Sequence, residues 1–349
     1  MTAALTTIIS LRAPYLIFLA DVEDHSFAKT GLGVAQWCPD KCVGQMRLPG
    51  SRVSANLPDL DVKAAVAAGA KSIILGVAPV GGQFKDSWVA VLKEAALAGL
   101  DVVAGMHKRL ATVPGLAEAA AAGGCKLVDV RVPPANIPIA SGRKRKGMRV
   151  LTVGTDCAVG KKYTALAIAQ ELKKRGVSAD FRATGQTGIM IAGEGMPIDT
   201  VVCDFTAGAA EALSPDNDAK HWDVIEGQGS LFHPAYAGVS LGLLHGSQPD
   251  ALVICHEAKR KTHSGFPGYP LPSVAATIKL NVELARRTNP KARCVGVAVN
   301  TMKLSKRERT AWLKKLSRQL KLPVVDPLVE GPGAIVDRML KPEKRGKKK

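Results

Sequence analysis

Short apolar runs alternate with alanine-rich amphipathic stretches along the first half of the chain. Apolar β-branched runs predict buried strands, and stretches of helical period predict helices between them. The predicted strands are 15–19, 72–77, 102–104 and 127–132, and the predicted helices are 59–68, 86–97 and 116–122. Strands that alternate with helices at this spacing form a parallel sheet with helices on both faces. The pattern therefore predicts an α/β domain.

A basic segment that contains prolines and glycines, 133–147, interrupts this alternation and is expected to be a domain boundary. Beyond it the alternation restarts. Strands are predicted at 148–154, 178–183, 200–204, 222–226, 251–255 and 293–299, and helices at 160–175, 273–288 and 305–320. We expect a Rossmann-like domain over 1–142, a doubly wound parallel-sheet domain over 143–340 and a basic flexible tail over 341–349.

A glycine-bracketed turn joins the first strand of the second domain to its first helix. Gly160 would let main-chain N–H groups approach an anion, the helix N-terminus adds partial positive charge, and Lys161 adds a full charge. Strand, turn and helix together predict a phosphate-binding loop. The candidate cofactor-binding residues of the loop are Gly154, Thr155, Asp156, Cys157, Ala158, Val159, Gly160, Lys161, Lys162 and Tyr163.

Lys162 stands where an ATP-hydrolysing loop normally has a serine or threonine that binds magnesium. A lysine offers no lone pair. Thr164 lies about 200° around the helix from Lys162 and does not replace that hydroxyl. The loop is therefore expected to hold a phosphate group without activating it, and we predict no metal site.

Carboxylates end two of the predicted strands. Glu226 precedes a glycine-rich turn at the carboxyl edge of the predicted sheet, where it could act as a general base or be satisfied by turn amides. Asp204 ends the apolar run 200–203 and could serve a metal site or be purely structural. The candidate catalytic residues are Glu226, Lys161 and Asp204.

Two polar runs follow other predicted strands. The run 182–188 mixes a cation, hydroxyls and an amide, and the run 256–263 concentrates positive charge, so both suit a carboxylate or phosphate; a solvated basic loop is the alternative for 259–261. Asn300 ends a buried strand and is expected either to bind a cofactor base edge or to form a turn. The candidate substrate-binding residues are Arg182, Thr184, Gln186, Gly227, Gln228, Lys259 and Arg260.

The net charge of +18 lies almost entirely in three segments, 143–149, 303–321 and 341–349. A solvated linker, helix face and tail explain it better than nucleic-acid binding, because only 4% of residues are aromatic. No apolar run reaches the roughly 18 to 20 residues of a membrane span. Seven scattered cysteines do not form a disulfide framework, which favours a cytoplasmic location.

The loop has five residues between its glycines, and this longer form resembles the dethiobiotin synthetase branch of phosphate-loop proteins. Together with 226–230 and 76–82, it makes nearly the whole chain similar to the DgcN-type D-glutamate N-acetyltransferase family, formerly of unknown function. The resemblance implies a Rossmann-like N-terminal domain and a C-terminal P-loop domain. It also implies acetyl transfer from acetyl-CoA to the amino group of D-glutamate.

Coenzyme A carries phosphates that such a loop would hold, so we expect the loop to bind acetyl-CoA and Glu226 to be the leading base. Arg182 and the cluster 259–261 would pair with the two substrate carboxylates. An ATP-dependent ligase or kinase using Mg-ATP, with Asp204 or Glu226 organising magnesium, is the alternative, and a non-catalytic nucleotide sensor is a third. The sequence leaves open the substrate's stereochemistry and a homo-oligomeric state.

Overall fold

The structure of the chain is a computed structural model that describes residues 8–78 and 84–341. Residues 79–82 of the predicted 76–82 motif, and the predicted tail after Lys341, lie outside the described residues. In chain order, the first elements are β1 (Ile9–Ser10), β2 (Tyr15–Ala20), α1 (Lys29–Trp37), β3 (Cys42–Arg47), α2 (Val62–Ala67), β4 (Ser72–Leu75), α3 (Asp86–Leu97), β5 (Asp101–Ala104), α4 (Leu116–Gly123) and β6 (Leu127–Asp129).

Within residues 8–78 and 84–134, five of these strands form a parallel sheet in the order β3-β2-β4-β5-β6. The four predicted strands and three predicted helices of this half are therefore confirmed. Helix α1 and strand β3 were not predicted, because both contain glycines, which have low intrinsic propensity. Gly31 of α1 is there for packing, because a Cβ at this position would lie 3.0 Å from the Cα of Gly76.

The elements that follow complete the chain. They are β7 (Met148–Gly154), α5 (Lys161–Lys174), β8 (Ala179–Arg182), α6 (Gln186–Ala192), β9 (Glu194–Gly195), α7 (Thr206–Leu213), β10 (Trp222–Ile225), α8 (Ala237–Ser247), β11 (Ala251–Glu257), β12 (Thr262–His263), β13 (Phe266–Pro270), α9 (Val274–Ala285), β14 (Arg293–Asn300), α10 (Lys306–Leu320), β15 (Val324–Val325) and α11 (Gly333–Leu340). Among the described residues, six of these strands form a parallel sheet in the order β15-β14-β11-β7-β10-β8.

The described chain divides into two compact units. The N-terminal unit contains the described residues up to Pro134 and also Gly185–Thr200, whose strand β9 pairs antiparallel with β1. The C-terminal unit contains Ala135–Thr184 and the described residues from Val201 onward. From the sequence, by contrast, we predict a boundary after residue 142 and a second domain formed by one continuous segment.

Helices cover both faces of the six-stranded sheet. On one face Ile168 of α5 and Ile335 of α11 pack with Val150 and Val253 of the central strands. On the other face Leu313 of α10 joins a second buried cluster. This arrangement confirms the α/β expectation and leaves the carboxyl ends of the strands as the edge where ligands bind in such sheets. Among the described helices, none has both the length and the apolar character that crossing a membrane requires.

The strand predicted at 200–204 is wrong. The chain there forms two short 3-10 turns, Ile198–Thr200 and Cys203–Phe205, followed directly by α7. The apolar run is too short to hold a strand against the alanine-rich helix that follows it, and Val202 is 68% exposed. Asp204 is consequently an exposed residue of a turn and does not end a strand.

The basic segment 143–149, which leads into β7, was expected to be a solvated linker, but two of its arginines are buried. Arg149 is fully buried; it donates from Nε to Ser214 Oγ at 2.7 Å and from Nη2 to the carbonyl oxygen of Pro215 at 2.9 Å. Arg145 is also buried and donates to the carbonyl oxygen of Ser214 at 2.7 Å. These guanidinium groups satisfy loop carbonyls that would otherwise be buried without partners. Part of the positive charge therefore serves to fix the N-terminal side of the sheet.

Candidate active site at the phosphate loop

The phosphate loop runs from the end of β7 to the start of α5, as predicted. Gly154 closes the turn tightly, because a Cβ there would lie 2.8 Å from Val159 Cγ2. Gly160 has φ +98°, a conformation that glycine adopts without a steric penalty, and it caps α5. The neighbouring strands β10 and β11 are parallel to β7. Their carboxyl-end segments therefore flank the loop on both sides.

Lys161 is buried within the loop and its ammonium group points at the loop's own backbone. Its Nζ donates to the carbonyl oxygen of Asp156 at 2.7 Å. Burial lowers the pKa of Lys161, while the nearby side chains, including Asp156 and Glu226, favour the charged form. A buried ammonium beside the N-terminus of a helix is the arrangement that an anionic phosphate requires.

Asp156 acts as the anchor of the loop. Its carboxylate is fully buried; Oδ1 lies 3.0 Å from Nδ1 of His263, and Oδ2 accepts from the Ser264 amide at 2.8 Å and from Arg260 Nη1 at 2.8 Å. Burial disfavours the charged carboxylate, but these donors outweigh it and hold the pKa of Asp156 below its ordinary value. Asp156 therefore fixes the conformation of the loop, because the protein engages both of its carboxylate oxygens.

The basic run after β11 is mostly engaged with the protein. Arg260 donates to Cys157 O at 2.8 Å as well as to Asp156, and it also pairs with Glu257. Lys259 forms an exposed ion pair with Glu308, with Nζ 2.9 Å from Oε1. Arg260 therefore stabilises the phosphate loop; Lys259 and Arg260 both have protein partners, whereas Lys261 is exposed.

Glu226 lies at the end of β10 beside the phosphate loop and is 5% exposed. Its Oε2 accepts from the Thr184 amide at 3.0 Å, and Thr184 Oγ1 donates back to the carbonyl oxygen of Glu226 at 2.8 Å. Gln228 Nε2 donates to the same hydroxyl at 2.9 Å. The charge of Glu226 favours the protonated forms of Lys161 and Lys162, whose pKa values burial lowers. The structure thus brings the predicted base and the two loop lysines together.

Gly227 has a different role from the ligand approach that the sequence suggested. A Cβ at this position would lie 1.6 Å from the carbonyl oxygen of Thr152 in β7. The Gly227 amide donates to Thr152 Oγ1 at 3.0 Å. The glycine therefore lets the turn after Glu226 pack directly on β7, which fixes the position of Glu226 relative to the loop.

Other predicted site residues lie elsewhere or have other partners. Arg182 donates from Nε to Asp223 Oδ1 at 2.7 Å; because Asp223 lies two positions before the partner of Arg182 in the register of β10, the guanidinium is directed back along the sheet. Gln186 begins α6 of the N-terminal unit, where its Oε1 lies 3.5 Å from Arg131 Nη1. Asn300 Oδ1 accepts from the Met302 amide at 3.1 Å, the turn-forming alternative.

Histidines beside the loop are not among the site residues predicted from the sequence. His256 Nδ1 lies 3.0 Å from Thr155 Oγ1, and its ring stacks on Trp312 at 5.7 Å. Burial lowers the pKa of His256 to about 4, so the ring is neutral at neutral pH. The available signal was its place directly after a buried strand, at the edge where site residues gather.

Asp156, Cys157 and His233 bring one possible metal-ligand atom each to within 4.8 Å of one another. Nδ1 of His233 accepts from the Ala235 amide at 3.1 Å, so the neutral ring carries its proton on Nε2. This Nε2 is the nitrogen that faces Asp156, at 3.8 Å from Oδ1. A nitrogen that carries a proton cannot bind a metal, so in this tautomer His233 does not supply a metal ligand; its buried Nε2 has no hydrogen-bond partner among the described residues.

The chain is similar to known proteins along nearly its whole length. It is 48% identical to a protein of Tritonibacter scottomollicae over 94% of this chain and 99% of that protein, and 44% identical to one of a Pseudoalteromonas species over 93% and 98%. Both are named D-glutamate N-acetyltransferase. A crystal structure of a DUF1611 family protein from Anabaena variabilis superposes with a TM-score of 0.81 at 32% identity, covering 94% of this chain and 99% of that one.

Two family descriptions match the chain. Residues 46–133 match the Rossmann-like domain DUF1611_N, and residues 138–336 match the P-loop domain DUF1611_C, both described as domains of unknown function. The expected family, with its Rossmann-like and P-loop halves, is thereby confirmed. The chain belongs to the DUF1611 family, in which a Rossmann-like domain precedes a P-loop domain.

Proposed function

We propose that the chain is an N-acetyltransferase that moves an acetyl group from acetyl-CoA to the amino group of D-glutamate. The observation that carries the proposal is the near full-length similarity, at 48% and 44% identity, to two proteins with that name. A cytoplasmic location is part of the proposal, because all seven cysteines are free and reducing compartments keep thiols reduced.

The phosphate loop is the proposed site for the phosphates of acetyl-CoA. The buried ammonium of Lys161, the helix N-terminus and the loop amides supply positive charge without a metal ion. Lys162 is partly buried in the position where ATP-hydrolysing loops use a hydroxyl for magnesium. This combination supports phosphate binding over phosphate transfer, and so supports acetyl-CoA over Mg-ATP.

Glu226 is the proposed general base. Acetyl transfer requires an unprotonated amine, which forms a bond to the acetyl carbon while the bond from that carbon to sulfur breaks and the thiolate leaves. Glu226 is held by the Thr184 amide beside the loop lysines, so it is positioned to accept the proton that the amine loses. Lys161 and Lys162 would keep this carboxylate ionised before the reaction.

The substrate carboxylates need cations, and three of the predicted ones already have protein partners. Arg260 holds the loop, Lys259 pairs with Glu308, and Arg182 bonds to Asp223. We propose Lys162 as the first cation for a substrate carboxylate, because it forms no ion pair among the described residues and its ammonium contacts the Tyr163 ring, 4.5 Å from its centroid. Arg182, Lys259 and Arg260 could serve only by exchanging these partners.

The test is a thiol-release assay with acetyl-CoA and D-glutamate, with L-glutamate as the comparison substrate, beside calorimetric titrations with acetyl-CoA and with Mg-ATP. We expect thiol release that depends on D-glutamate. Lys161→Ala should weaken acetyl-CoA binding by at least ~100-fold, since it removes a buried charge that contacts phosphate. Lys279→Ala, at an exposed position of α9, is the matched control. Tight Mg-ATP binding without acetyl-CoA binding would contradict the proposal and favour the ligase alternative.

A further inference from the structure

The two segments that flank the phosphate loop both carry an exposed tyrosine. Tyr236 lies in the segment after β10, immediately before α8, and Tyr269 lies in β13 after β11. Because β10 and β11 are the two neighbours of β7, the tyrosines come from opposite sides of the phosphate loop. Tyr236 is 50% exposed and Tyr269 is 54% exposed.

Ring contacts connect both tyrosines to the loop. The ring of Tyr236 stacks on His233 at 4.5 Å with an interplanar angle of 27°. Phe266 packs edge-on against His233 at 5.0 Å and against Tyr269 at 6.1 Å. His233 in turn faces the loop anchor Asp156 at 3.8 Å. We call these four residues, His233, Tyr236, Phe266 and Tyr269, the aromatic cluster.

The composition of the chain makes this cluster unusual. Only 4% of the residues are aromatic, and the chain has four tyrosines. Tyr15 is buried in the N-terminal unit and Tyr163 is half-buried in α5, so the two most exposed tyrosines lie in the cluster. Burial lowers the pKa of His233, which keeps the ring under Tyr236 uncharged. Exposed aromatic rings with an uncharged support offer an apolar face beside an anion site.

We propose that Tyr236 and Tyr269 form a stacking surface for the purine base of the nucleotide whose phosphates the loop binds. The inference rests on the proposed use of acetyl-CoA, in which a ribose links an adenine base to the phosphates. Aromatic side chains stack on every base through its π-face, and tyrosine combines a flat apolar ring with a polar tip suited to a half-exposed position. The phosphate loop supplies the charge, and the aromatic cluster supplies recognition of the base.

Three probes test the assignment by calorimetry. Acetyl-CoA contains base, phosphates and thioester, adenosine 3′,5′-bisphosphate contains base and phosphates, and acetyl-phosphopantetheine contains phosphate and thioester without a base. Tyr236→Ala and Tyr269→Ala should each weaken the two base-containing probes by about 5- to 100-fold, the range for loss of one base–aromatic stack. Both variants should bind acetyl-phosphopantetheine like the unaltered protein.

Matched variants separate stacking from packing. Tyr236→Phe keeps the ring and should retain affinity, whereas Tyr236→Leu keeps apolar bulk on His233 and should lose it. Leu328→Ala, at an exposed position distant in sequence from the cluster, is the surface control. Thermal unfolding of each variant identifies any that is destabilised.

Two results would overturn the inference. Undiminished affinity of both alanine variants for the base-containing probes would remove the stacking role while leaving acetyl transfer intact. Equal weakening of the binding of all three probes, whose common part is phosphate, would assign the cluster to the phosphate site instead of to the base. If the unaltered protein binds the bisphosphate in a tyrosine-dependent manner but does not bind acetyl-CoA, the proposed function fails and the base site stands.

Discussion

The two sides of the phosphate loop are built differently. On the side of β11, Asp156, Arg260 and His263 form a dense buried network in which both oxygens of one carboxylate are engaged. On the side of β10, Glu226 is held by the backbone amide of Thr184 and lies close to two lysines. A carboxylate that is saturated with donors fixes geometry, whereas a carboxylate beside ammonium groups can exchange protons.

Asp156 and Glu226 look alike in the sequence but have different roles in the structure. Asp156 belongs to the phosphate loop itself, yet its side chain faces the segment after β11. Glu226 lies outside the loop, yet it faces the lysines of the loop. Variants on the β10 side should therefore affect turnover, and variants on the β11 side should affect stability.

The largest expected effect is on the β10 side. Glu226→Gln keeps the shape and the Thr184 contact but removes the base, so turnover should fall by about 100- to 10,000-fold. Acetyl-CoA affinity, measured by calorimetry, should stay within about twofold, because the base contributes to reaction more than to binding. Glu283→Gln, on the exposed surface of α9, is the control. Unchanged turnover would exclude Glu226 as the base and leave it a structural residue.

On the β11 side, Asp156→Asn should lower the free energy of unfolding by about 3 to 5 kcal/mol, the cost of removing one partner from a buried ion pair. Urea denaturation measures this. The pKa of Asp156 lies below its ordinary value, so its stabilisation is present above about pH 4 and is lost as pH falls through the lower folded value. The variant should therefore lose less stability in acid than the unaltered protein. A variant that is as stable as the unaltered protein but inactive would instead give Asp156 a role in the reaction.

His256 predicts a pH dependence at milder acidity. Its folded pKa of about 4 lies below its ordinary value of 6.5, so below pH 6.5 the unfolded chain binds a proton that the folded chain does not. Stability should therefore decrease by about 2 kcal/mol between pH 7 and pH 5 through this group. His256→Gln should flatten that part of the curve, whereas His107→Gln, at an exposed position, should not. Identical slopes in all three proteins would contradict the buried neutral ring.

The smallest effect is expected at the outer end of the β11 side. Lys259 and Glu308 form an exposed ion pair, and such pairs contribute little because solvent screens them. Lys259→Ala should change acetyl-CoA affinity by less than about twofold and leave turnover unaltered. A large rise in KM for D-glutamate would instead indicate that Lys259 binds the substrate, as the sequence predicted.

The phosphate loop was accessible from the sequence because it depends on local signals. Glycine positions, an apolar run before them and a lysine after them define strand, turn and helix without reference to the rest of the chain. Asp204 illustrates the limit of such signals. Two adjacent valines suggested a strand, but the neighbouring alanine-rich helix α7 and exposure of Val202 decided the conformation.

Basic residues show the second limit. Arg145 and Arg149 had the sequence signature of a solvated linker, but they are buried against loop carbonyls that come together only in the folded sheet. Arg182 and Arg260 likewise carry charges suited to a substrate, but each is engaged by a distant carboxylate: Asp223 lies 41 residues from Arg182, and Asp156 lies 104 residues from Arg260.

The sequence by itself determined the α/β class, the phosphate loop with Lys161, and the place of Glu226 at the end of a strand. These features follow from the periodicity of apolar residues, the positions of glycines and the ends of strands, which are short-range properties of the sequence. Only the tertiary structure decided that the segment after β11 engages both carboxylate oxygens of Asp156, that Gly227 makes room for β7 and that the aromatic cluster lies beside the loop. Those features depend on which distant segments pack together, because a side chain's partners are set by long-range contacts that local patterns do not encode.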